Sequence, residues 1–70
     1  MKLLTFDTTH HALWAEEIAV GGALGVQVVP APADAKAKCD LALEVLPEDF
    51  DALIAALRVS GVEYRVYGAS

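Results

Sequence analysis

Hydrophobic and polar positions follow two rhythms along this chain, and each change of rhythm marks a boundary. Lys2 to Phe6 is a short, β-rich run that predicts a first strand. Asp7, Thr8 and Thr9 follow, each a good helix N-cap, so a helix is expected to begin there. From His10 to Val20 the period becomes helical, with Trp14, Ala15, Ile18 and Ala19 on one face and Glu16 and Glu17 off it. Gly21 and Gly22 are expected to stop this helix and Gly25 to complete the turn.

Val26 to Val29 is a β-branched run and predicts a second strand, ended by Pro30 and Pro32, which cannot donate to a ladder. Ala31 to Lys38 reads as a loop, with Cys39 at its far end. Leu41, Leu43 and Val45 share one side of a third strand. Pro47 then suits the first turn of a helix, and Glu48, Asp49 and Asp51 place negative charge at its positive end. Phe50, Leu53, Ile54 and Leu57 keep the i, i+3, i+4, i+7 spacing of a buried helical face. Arg58 near the end and Gly61 beyond it fit a helix C-terminus. Val62 to Tyr67 alternates and predicts a fourth strand, leaving Gly68 to Ser70 as a tail.

The order is βαββαβ. Right-handed crossovers make this an α+β ferredoxin-like sandwich, with an antiparallel sheet of order 4-1-3-2 and both helices on one face. The expectation is a single domain spanning residues 1–70. A chain of this length buries only about 60% of its unfolded surface. The apolar fraction is nonetheless 56%. Part is alanine, but enough remains to leave a patch exposed for docking or a homodimer.

Charge narrows the partners. Ten acidic against five basic residues give a net charge of −5. Nucleic acid and anionic membrane surfaces are therefore disfavoured, since phosphate binding needs clustered Lys and Arg. The basic residues are scattered apart from Lys36 and Lys38. Cys39 is the single cysteine, which excludes a disulfide scaffold and a multi-cysteine zinc site. No signal peptide is visible, and no apolar run approaches the roughly 20 residues of a membrane span. The expected location is the cytoplasm.

The topology gives Cys39 a neighbourhood. In a 4-1-3-2 sheet, the turn from the first strand into the first helix and the loop between the second and third strands share one edge. Asp7 to His11 and Cys39 are then neighbours, far apart in sequence. The helix start offers free N–H groups and the positive end of its dipole, both of which favour a thiolate. Lys36 and Lys38 act in the same direction, Asp7 and Asp40 against it. His10 or His11 is a candidate proton acceptor.

Plainer roles stand beside these. A free cysteine often only fills a core. His10 and His11 fit simple first-turn residues, Trp14 fits a core or interface residue, and the acids around Asp49 fit a capped helix start. Cys39, His10 and His11 lack the spacing of a metal site, and neither metal nor cofactor is expected.

Several segments resemble one family. Leu4-Thr5-Phe6, then Thr8-Thr9-His10-His11-Ala12-Leu13 and Glu16, are similar to the opening of the selenium/sulfur carrier protein-like family, short bacterial domains. Val29-Pro30-Ala31-Pro32 resembles its Val-Pro-x-Pro segment, and Cys39 followed by Leu41-Ala42-Leu43 resembles its Cys-Gly-Leu-Ala-Leu. The chain departs from the pattern around the cysteine: Lys38 precedes it and Asp40 stands where the family has glycine. The resemblance implies a carrier holding sulfur or selenium on Cys39 as a persulfide or selenosulfide. The helix start would stabilise the terminal atom, and Thr8, Thr9 and His10 would line the approach, with His11 and Asp40 alongside. A donor such as a cysteine desulfurase and a thiolation or selenation acceptor are the implied partners. Such a protein is a shuttle more than an independent enzyme. The alternative is a ligand-binding or interaction module of the same fold, without thiol chemistry.

Overall fold

The computed structural model describes residues 2–35 and 38–67. The elements are β1 (Lys2–Thr5), α1 (Thr9–Gly21), β2 (Val26–Pro30), β3 (Leu41–Val45), α2 (Phe50–Ser60) and β4 (Arg65–Tyr67), with short 3-10 turns at Ala33–Ala35 and Pro47–Asp49. The strands form one antiparallel sheet of order β2-β3-β1-β4, the expected α+β ferredoxin-like arrangement.

The pleat sorts side chains by parity. Leu4 pairs with Leu43 and with Val66, and Leu43 pairs with Val28. These residues line the face that carries both helices, where Leu53 and Leu57 of α2 and Ala12, Ala15 and Ala19 of α1 close the core. Small residues on α1 let the helix sit close to β2 and β3, which it contacts along with α2. Trp14 and Ile18 are half-buried at the margin of that face.

Three local expectations change. The first concerns the turn after α1. Gly22 caps the helix, but with φ −91; the left-handed residue is Ala23, φ 57. Leu24 N–H, bonded to Ala19 O at 2.9 Å, closes the turn around it. The second is the start of α2. Pro47, Glu48 and Asp49 form a 3-10 turn before the helix, which begins at Phe50. At its other end Gly61 adopts φ 78, the left-handed cap expected there.

The third correction is the fourth strand. The alternation predicts Val62–Tyr67, whereas β4 covers Arg65–Tyr67. A strand needs a partner, and β1 offers β4 only Leu3, Leu4 and Thr5. Val62 instead donates its N–H to Leu57 O at 3.0 Å, finishing the helix, and its side chain enters the core. Tyr64 thus lies before the strand rather than on it. The tail, residues 68–70, lies outside the described residues.

Candidate site at the rim of the first helix

The antiparallel register fixes what meets at this rim. Thr5 pairs with Ala42, so β1 runs out toward Asp7 and the start of α1 at the end of the sheet where β3 begins. Cys39 precedes β3 by two residues and therefore lies on the edge expected from the sequence.

The start of α1 is well defined. Thr8 is extended (φ −138, ψ 154) and its Oγ1 accepts the His11 N–H at 3.1 Å. That leaves the N–H groups of Thr9 and His10 without a partner inside the helix. The first turn carries no acid, and Asp7 lies 3.8 Å from Arg65 in an exposed ion pair. Thr8 Oγ1 also lies 3.1 Å from His11 Nδ1, donating to it when the ring proton sits on Nε2. His10, His11 and Trp14 form an aromatic cluster with centroids 6.1 to 6.4 Å apart. Removing the cap tests its weight: Thr8→Ala should cost about 1 kcal/mol in urea unfolding, and Thr8→Asn should recover most of it. An unchanged Thr8→Ala midpoint would show the cap to be idle.

Cys39 is in the right place but covered. Its side chain is 8% exposed and belongs to the helix-side core, and its Sγ–H donates to Leu41 O at 3.1 Å. The sequence reading required an accessible sulfur; here packing takes the thiol in, because a small apolar side chain gains more from the core than from water. Lys38 and Asp40 on either side are exposed, so the sulfur lies just beneath the surface. Lys36 lies outside the described residues. Among the described residues, no hydrogen bond joins Cys39 to Thr8, Thr9, His10, His11 or Asp40. The structure brings Thr8 and His11 together and leaves Cys39 with a backbone partner. Reaction at sulfur therefore requires the thiol proton to leave and the bond to Leu41 to break.

Two surface features were not legible in the sequence. A cleft of about 300 Å³ opens where β1 and the segment before β4 diverge, between Phe6 and Asp7 on one side and Glu63 and Tyr64 on the other. The Tyr67 hydroxyl donates to Asp34 Oδ1 at 2.7 Å, across 33 residues of sequence. Asp34 raises the Tyr67 pKa, first through this bond, with slight burial and the carboxylate charge adding to it. No local pattern signals such a pairing.

Among the described residues, no cluster of at least three His, Cys, Asp or Glu side chains could hold a metal ion, and no helix is long and apolar enough to cross a membrane. No curated protein and no solved structure matches the chain. A family model does, and it covers Cys39, the start of α1 and every strand of the sheet. Its description is "Putative Se/S carrier protein-like" and the match runs over residues 2–67, so the chain belongs to that family.

Proposed function

We propose that this chain is a stoichiometric carrier that holds one sulfur or selenium atom on Cys39 and passes it to an acceptor. The observation that carries the reading is the position of Cys39, at the same rim as the capped, acid-free start of α1. Family membership supports it.

Loading on this reading is an exchange at sulfur. The Cys39 thiolate attacks the terminal sulfur of a donor persulfide, R–S–SH. The donor S–S bond breaks, a new S–S bond forms on Cys39, and the donor leaves as a thiolate that takes up the proton lost from Cys39. No net oxidation occurs. The added atom lengthens the side chain at the rim that also carries the start of α1, and a helix start with free N–H groups favours negative charge in its vicinity. An acceptor nucleophile then attacks that terminal atom, and Cys39 returns to the thiol.

The test is intact mass after incubation with a cysteine desulfurase and cysteine. One added sulfur is expected on the wild-type chain and none on Cys39→Ser. A wild-type mass that never changes while the donor is charged defeats the proposal.

The burial of Cys39 favours a second reading, in which the sulfur only packs and the chain is a ligand-binding or interaction module. On that reading, the mass stays constant and a ligand raises the melting temperature of Cys39→Ser as it does that of the wild type.

A further inference from the structure

Parity places Leu3, Thr5, Ala42, Glu44, Arg65 and Tyr67 on the sheet face away from the helices. That face should be open in a two-layer fold. Yet Ala42 is 0% exposed and Thr5 4%, and Ala42 stands outside the helix-side core cluster. The Tyr67–Asp34 hydrogen bond lies on this same face. Tyr67 is on β4, at one edge of the sheet; Asp34 belongs to the connection between β2 and β3, at the other edge. Neighbouring strands lie about 4.8 Å apart, so a direct bond between these side chains brings Asp34 in over this face.

The same connection ends at Cys39, whose side chain enters the core on the opposite face. Its two limbs are tied at the rim, where Ala31 N–H donates to Asp40 O at 2.8 Å. Asp34 is thus held by Tyr67 on the outer side of the sheet, and Cys39 by the core on the helix side. Drawing the sulfur out moves residues 38–40, and through the rim bond it disturbs the limb that Tyr67 holds.

We propose that the Asp34–Tyr67 hydrogen bond is a strap that restrains the exposure of Cys39, with Tyr67 acting as a positioning residue for the thiol. This describes regulation of the site assigned above, and its functional meaning rests on that reading. Release of the strap, as when a docking partner engages Tyr67 or Asp34, makes the sulfur easier to reach.

Alkylation of Cys39 by iodoacetamide in the native protein tests this without any donor. Tyr67→Phe should accelerate alkylation by about two- to tenfold, the equilibrium factor of one hydrogen bond. Asp34→Ala should do the same, and the double variant should react no faster than either single one. Asp34→Asn, whose amide oxygen still accepts, should stay near the wild-type rate. The acceleration should depend weakly on urea, as local opening does. Ile54→Val serves as the control for destabilisation alone, with the stronger urea dependence of global unfolding. The strap is refuted if Tyr67→Phe reacts at the wild-type rate, if its urea dependence matches that of Ile54→Val, or if Asp34→Asn reacts as fast as Asp34→Ala. The two proposals fail separately: a response to Tyr67→Phe in a chain that never gains sulfur removes the carrier and keeps the strap, and sulfur uptake without that response does the reverse.

Discussion

Leu43→Ala should remove a large share of the stability of the fold. Leu43 is 0% exposed and occupies the middle of β3, between Leu4 on β1 and Val28 on β2. Truncating such a side chain costs about 2.7–5 kcal/mol, the transfer term plus the cavity it leaves. A chain of this length has a total stability of only about 3.5–10 kcal/mol at the usual value per residue. β3 also has a strand on each side, so the site cannot collapse by shifting an edge. Urea unfolding followed by circular dichroism gives the measurement. A loss under about 1 kcal/mol would mean that the core is far more plastic than close packing allows.

Gly25→Ala should also be costly, for an unrelated reason. A Cβ there would collide with Leu46 Cδ1 and lie 2.9 Å from Leu46 Cγ and 3.3 Å from Asp49 Oδ2. The backbone is tied down on both sides: Gly25 N–H donates to Asp49 Oδ2 at 2.8 Å, and Leu46 N–H donates to Gly25 O at 3.0 Å. The methyl group must therefore displace Leu46 or strain these bonds, at about 1–3 kcal/mol. Leu46 is partly exposed, so trimming it alone should be tolerated. Gly25→Ala combined with Leu46→Ala should then recover most of the loss. A single variant as stable as the wild type, or a double variant that shows no recovery, would contradict this account.

Gly25 also shows where local reading falls short. The sequence suggests that it completes the turn after α1, since glycine punctuates helices. The left-handed position in that turn is Ala23, and Gly25 is needed because the junction between β3 and α2 passes against it. Nothing near position 25 announces Leu46 and Asp49. β4 gives the same lesson. The alternation through Val62, Glu63 and Tyr64 fits a strand, but the end of β1 leaves those residues without a ladder. By contrast, β3 and the buried face of α2 match the sequence reading, because apolar spacing there reports burial directly.

The candidate site divides along the same line. Its edge was legible: once the order of elements is read, handedness and antiparallel pairing bring the start of α1 and Cys39 to one rim. Its environment was not. Whether the sulfur meets water or the core is set by packing against the helix-side cluster, whose members lie far apart in the chain.

Sequence alone settled the order of strands and helices, the faces they bury and the rim that carries the single thiol, because hydrophobic period and chain handedness are local or topological properties. Tertiary structure alone decided that Cys39 is covered, that Thr5 and Ala42 are buried on the outer face of the sheet, and that Leu46 crowds position 25. Each of these depends on a close approach between residues far apart in the chain, and such distances are set only when the whole core packs.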